Sequence, residues 1–171
     1  IMFMDEAKET LRDTMKHVEQ PEAVRILLAL AHTLQMLHAA GLVHQDLKPE
    51  NVLVADDRST VVVGDFGLAR ATTANTATGA QLLGTIAYLA PELVTRGTAD
   101  ARSDIYALGI MLYEMLVGEQ PYKGEQPMQI AFQHATDSVP RPSVKNPAVP
   151  EPLDELVLWA TEKVPDDRPA D

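Results

Sequence analysis

The sequence predicts an α+β domain that is mainly α, and three observations lead there. Apolar residues at positions 24, 27, 28, 31, 34 and 37 recur at the spacing of one helix face, and the stretch from Asp104 to Val117 is apolar on nearly every side. The runs Val52–Ala55 and Thr60–Val63 are short, β-branched and separated by the polar ADDRS, the pattern of a small hairpin.

In chain order, residues 1–4 form a short apolar segment running into an acidic turn, and residues 10–17 suit a brief helix. Pro21 to Ala40 is the best-marked helix of the first half, with Pro21 fitting a first turn and Gly41 a stop. After the hairpin, residues 69–84 are rich in Thr, Ala and Gly without periodicity and are expected to form a long loop. Beyond Pro91 a short turn should lead through Asp100–Asp104 into the apolar helix 104–117. A loop from Gly118 to Glu125 then precedes a helix over 127–135, a proline-studded connection over 140–152 and a last helix over 153–164.

Composition narrows the function classes. The 171 residues are 46% hydrophobic and 23% charged, a globular balance with room for a core. Twenty-five acidic against fourteen basic residues give a net charge of -11, which argues against nucleic acid as a partner. Without cysteine there is no disulfide, no thiolate nucleophile and no sulfur-ligated metal. His17, His32, His38, His44 and His134 show no zinc-protease spacing and read as structural or exposed. No apolar run reaches the roughly 18 to 20 residues that cross a bilayer, so no membrane segment is expected in this chain. No export leader is visible, and a first residue of Ile suggests a chain that begins partway through a gene product.

The chemistry-bearing residues are concentrated. His44-Gln-Asp-Leu-Lys-Pro-Glu-Asn51 is followed fourteen residues later by Asp65-Phe-Gly67, then by Gly84-Thr-Ile-Ala-Tyr-Leu-Ala-Pro-Glu92, Ser103-Asp-Ile-Tyr-Ala-Leu-Gly109 and Pro165-Asp-Asp-Arg168. In that order the motifs resemble the catalytic loop, metal-binding turn and activation-segment end of protein serine/threonine kinases, in particular the bacterial, actinobacterial-like, eukaryotic-type group. The resemblance implies a protein-kinase-like fold: the large C-terminal lobe with its small β-hairpins, residues 1–8 as the hinge, 9–171 as the lobe and 65–92 as the activation segment. The N-terminal lobe, with its glycine loop and strand lysine, has no counterpart in these 171 residues, so the chain alone is expected to be inactive.

Phosphoryl transfer needs a carboxylate for the attacking hydroxyl, cations on the phosphates and divalent metal. Asp46 suits the first task, Lys48 the γ-phosphate, and Asn51 and Asp65 are hard oxygen ligands for Mg²⁺ or Mn²⁺ accompanying ATP. By resemblance Met4 is the gatekeeper, Asp5 and Ala7 belong to the hinge that grips adenine, Leu53 floors the pocket, and Phe66 and Gly67 form the switch beside Asp65. Thr85 should contact Asp46 and Lys48, Glu92 should pair with Arg168, and Asp104 should accept amides of the catalytic loop.

Gln45 departs from the family pattern, in which an arginine at this position binds a phosphothreonine of the activation loop. Thr72, Thr73, Thr76 and Thr78 remain candidate autophosphorylation sites. The departure keeps open a second reading, a pseudokinase or regulatory binding module. The expected partners are protein substrates, docked around residues 101–124 and 127–135, the absent N-lobe and, on dimerisation, a second copy. The implied location is the cytoplasm, or the cytoplasmic face of the membrane if a spanning segment exists outside this chain.

Overall fold

A computed structural model describes residues 7–58, 60–64 and 85–170. Met4, Asp5, Asp65, Phe66, Gly67, Thr72, Thr73, Thr76 and Thr78 therefore lie outside the described residues, as does the whole of the expected loop 69–84. The order is β1 (Ala7–Thr10), α1 (Leu11–Thr14), α2 (Gln20–Ala39), a 3-10 turn (Pro49–Asn51), β2 (Val52–Ala55), β3 (Val61–Val63), α3 (Pro91–Thr95), α4 (Ala101–Val117), α5 (Pro127–Thr136), a 3-10 turn (Pro142–Val144), α6 (Glu151–Ala160) and a 3-10 turn (Pro165–Asp167).

α2 forms where the apolar spacing predicts. Its buried residues Ala23, Ile26, Leu27, Leu30 and Leu34 share one stripe. Past its end Gly41 adopts φ 81° while the N–H of Leu42 reaches back to the Leu37 carbonyl and that of Gly41 to His38, so the last carbonyls are satisfied by a left-handed turn.

α4 is buried from Ser103 through Leu116 and stands in the middle of the molecule. It starts at Ala101, three residues earlier than the apolar run suggests. The reason is its cap: the Asp100 carboxylate accepts the Arg102 N–H at 2.8 Å, and Ser103 Oγ accepts the Asp100 N–H at 3.3 Å. α2 and α6 pack against α4, and α3 packs against α5.

Where α4 meets α6 a glycine is required. A Cβ on Gly109 would come within 2.8 Å of both the Ala160 Cβ and the Thr161 Cγ2. Gly109→Ala is expected to destabilise the chain by about 1–3 kcal/mol despite the better helix propensity of alanine. Urea unfolding reads this directly, and an unchanged midpoint would mean that the helices move apart freely.

The hairpin β2–β3 is antiparallel, with Val52 opposite Val63 and Val54 opposite Val61. β1 adds a third strand on the other side of β2, pairing Ala7 with Ala55, Glu9 with Val54 and Thr10 with Leu53 across an irregularity. The expected acidic turn lies outside the described residues, and the strand corrects the helix expected over 10–17. Thr10 ends the strand and caps α1, its hydroxyl accepting the Asp13 N–H, and α1 closes at Thr14. Two further boundaries shift. The turn after Pro91 is the helix α3, with Pro91 in its first turn, and the last helix is α6, over 151–160 rather than 153–164.

Candidate active site

The loop from His44 to Asn51 is held by Asp104, the fourth residue of α4. The Asp104 carboxylate, 1% exposed, accepts the backbone N–H of His44 at 2.8 Å and of Gln45 at 3.0 Å, and the Nε2–H of His38 at 2.9 Å. A buried carboxylate is costly unless such donors surround it. Gln45 takes φ 71° within this grip, a left-handed conformation that costs a non-glycine residue on the order of 1–3 kcal/mol and persists only where neighbouring bonds impose it.

His44 is fully buried and fixes the loop from the other side. A carbonyl can only accept, so the 2.6 Å contact between Nε2 and the Gly64 oxygen places the ring proton on Nε2. Nδ1 is left to accept the Asp46 N–H at 3.1 Å. One imidazole thus joins the backbone of Asp46 to the residue that precedes Asp65.

Asn51 closes the loop. Its Nδ2 donates to the Asp46 carbonyl at 2.8 Å, its own N–H to the Lys48 carbonyl at 3.0 Å, and its carbonyl accepts the Gly64 N–H at 2.9 Å. Lys48 Nζ donates to Thr85 Oγ1 at 3.0 Å and lies 3.9 Å from Asp46 Oδ2. Asp46, Lys48, Asn51 and Thr85 are thereby brought together from two separate parts of the chain. Leu53 sits partly buried in β2, opposite Val62 and Thr10, and Ala7 enters only through its backbone pairing in β1.

A second cluster secures the segment downstream of Thr85. The Arg168 side chain is fully buried and donates from Nη2 and Nη1 to the two Glu92 oxygens at 2.8 Å each. Ser103 Oγ donates to the same carboxylate at 2.7 Å, and Arg168 also serves the carbonyls of Glu162 and Arg102. Burial by itself would raise the Glu92 pKa, but the hydrogen bonds from Arg168, the backbone and Ser103 outweigh it and hold the carboxyl below its ordinary range.

Two groups at this site escaped the reading of the sequence. Arg12 donates to Glu114 Oε2 at 2.6 Å and to the Tyr88 hydroxyl, which itself donates to Glu114, and its Nε reaches Glu50 at 3.2 Å. Burial first, then the Glu114 charge, push the Tyr88 phenol far above its usual range, so it serves as a donor. The available signal was Glu114, a lone acid inside an apolar helix. His134 of α5 is also buried, accepting from the Tyr106 hydroxyl at 2.7 Å and donating to the Ala87 carbonyl at 3.0 Å. Burial holds its pKa down at about 3, so it ties α5 to the segment after Thr85 as a neutral ring.

Over residues 1–170 the sequence matches the protein kinase domain family. The chain belongs to the protein kinase family. Among its relatives, the serine/threonine-protein kinase PknL of Mycobacterium tuberculosis (strain H37Rv) is 47% identical over 150 residues, covering 86% of this chain and 37% of PknL. PknB of Mycolicibacterium smegmatis is 40% identical over 166 residues, covering 93% of this chain and 26% of PknB. The kinase chain therefore spans between about a quarter and little more than a third of the length of these curated relatives. In three dimensions it resembles the crystal structure of Rad53 1-466 in complex with AMP-PNP, with a TM-score of 0.75 and 25% identity over 95% of this chain and 41% of that one.

Proposed function

We propose that this chain is the large lobe, with residues 1–8 as hinge, of a catalytic domain that transfers the γ-phosphoryl group of ATP to serine or threonine hydroxyls of proteins. The observation that carries the reading is the Asp46, Lys48, Asn51 and Thr85 cluster on a loop held from both sides by Asp104 and His44. Asp46 takes the proton from the attacking hydroxyl, a contribution typically worth 10²–10⁴-fold. Lys48, steadied by Thr85, balances charge on the group in transfer.

Magnesium would be held by Asn51 and Asp65, whose amide and carboxylate oxygens are the hard donors it takes. Because Asn51 Nδ2 is committed to the Asp46 carbonyl, Oδ1 is the atom left for a cation. Bound with ATP, the ion would neutralise phosphate charge.

Gln45 favours a second reading, a pseudokinase or regulatory module, since no arginine stands there to receive a phosphothreonine. The intact frame around Asp46 weighs against it. A cytoplasmic location, directly or at the membrane face, suits a domain that uses ATP; among the described residues no helix is long and apolar enough to cross a membrane.

The test is an assay with Mg²⁺ and radiolabelled ATP on the chain joined to its upstream sequence, against peptides carrying Ser, Thr or Tyr. Transfer to Ser and Thr peptides is expected, and none by residues 1–171 alone. No transfer by the longer protein, or robust transfer by the short chain, would refute the reading.

A further inference from the structure

The segment that follows Thr85 borders Asp46: the two residues, with Tyr88 and Leu89, line one small cavity of about 10 Å³. Within the segment a single turn is closed by the Tyr88 N–H on the Thr85 carbonyl at 3.4 Å and the Leu89 N–H on the Ile86 carbonyl at 3.1 Å. Thr85 and Tyr88 are fixed through their side chains, the first by Lys48 and the second by Arg12 and Glu114. Between them Ala87, 3% exposed, has its carbonyl held from another element, by His134 Nε2 of α5 at 3.0 Å. A carbonyl only accepts, so Nε2 carries the ring proton and Nδ1 receives the Tyr106 hydroxyl at 2.7 Å. The imidazole is fully buried and is clamped edge-on by the rings of Tyr106 and Tyr122, at centroid distances of 5.6 Å and 4.9 Å.

We propose that His134 is a positioning residue for the protein substrate, which by fixing the Ala87 carbonyl sets the backbone path beside which the chain carrying the acceptor hydroxyl lies. The inference rests on phosphoryl transfer at Asp46. A hydroxyl that reaches the Asp46 carboxylate brings its own chain alongside Thr85 to Leu89, because those residues flank Asp46. Losing the His134 donor leaves a buried carbonyl unpaired, and the turn shifts to find another partner. Asp46 and Asn51 are held by His44 and by each other, without Ala87, so the shift moves the surface met by the substrate and leaves the proton acceptor in place.

The two bonds of the ring can be separated by two amides. The Asn Oδ1 stands where Nδ1 stands in histidine, so His134→Asn keeps an acceptor for Tyr106 and falls short of Ala87. The Gln Nε2 stands where Nε2 stands in histidine, so His134→Gln keeps the donor to Ala87 and gives up Nδ1. Both variants lose the ring and its edge-on contacts with Tyr106 and Tyr122. A role in packing alone therefore affects the two alike, whereas a role through the Ala87 carbonyl sets them apart.

The test is steady-state transfer by the two-lobed protein, with the serine or threonine peptide that the wild type phosphorylates fastest, at a temperature where the wild type and both variants are folded. His134→Asn is expected to raise the peptide KM about tenfold, with kcat and the KM for ATP changed less than about twofold, and His134→Gln to return the peptide KM to within about twofold of wild type. Hydrogen exchange reads the same difference without turnover: the Tyr88 and Leu89 amides should exchange about tenfold faster in His134→Asn and near the wild-type rate in His134→Gln. Equal effects of Asn and Gln, or a peptide KM that neither moves, would overturn the proposal and leave the transfer reading standing. A wild type that transfers nothing would overturn both.

Discussion

Asp46→Asn is expected to lower phosphoryl transfer by about a thousandfold in the two-lobed protein, with the affinity for ATP changed less than about twofold. The substitution keeps the shape of the side chain and removes its charge and its capacity to take a proton, while Lys48, 3.9 Å away, keeps its bond to Thr85. Bonds through the backbone hold the loop: the Asp46 carbonyl receives Asn51, its N–H meets His44, and Asp104 holds the two residues before it. A lost rate with an unchanged melting temperature therefore isolates chemistry from folding. Transfer that persists unaltered would remove Asp46 from the mechanism and favour the non-catalytic reading.

Arg168→Met is expected to have the largest effect on stability, a loss of about 3–5 kcal/mol in denaturant unfolding at pH 7. The guanidinium is enclosed, and its removal strands the Glu92 carboxylate in a site that is 8% exposed. Much of the loss is the cost of that stranded charge, so the double substitution Glu92→Met with Arg168→Met should be less damaging than the two singles added together.

The pH dependence has a definite sign. The folded Glu92 pKa lies below its ordinary value, so the stability it contributes is fully present above the unfolded pKa and is lost as pH falls through the folded one. Without Arg168 burial dominates and protonation relieves the site, so the gap between wild type and variant should narrow from pH 7 to pH 4. A gap that is constant with pH would mean that Arg168 acts by packing alone.

How much of this was legible in the sequence depended on where the information lay. α2 and the body of α4 could be read because burial repeats at a helical period along a single segment. The loop from His44 to Asn51 was legible because its residues are contiguous, and the Glu92–Arg168 and Asp104 contacts were anticipated because the motif resemblance located both partners. β1 was not legible: Ala-Lys-Glu-Thr has no strand pattern of its own, and it is extended because β2 offers it an edge. The Arg12, Tyr88 and Glu114 cluster joins residues 76 and 26 positions apart, and no local period records such a meeting.

His44 has a mechanical consequence. Its ring is bonded at one nitrogen to the Asp46 amide and at the other to the carbonyl of Gly64, the residue before Asp65. Any rotation of that ring releases both contacts together, so neither can loosen alone. Asp46, the proposed proton acceptor, and the strand end that precedes Asp65, the proposed metal ligand, are geared to one another. A disturbance that enters through the hairpin reaches Asp46 as a single cooperative step rather than as a gradual drift.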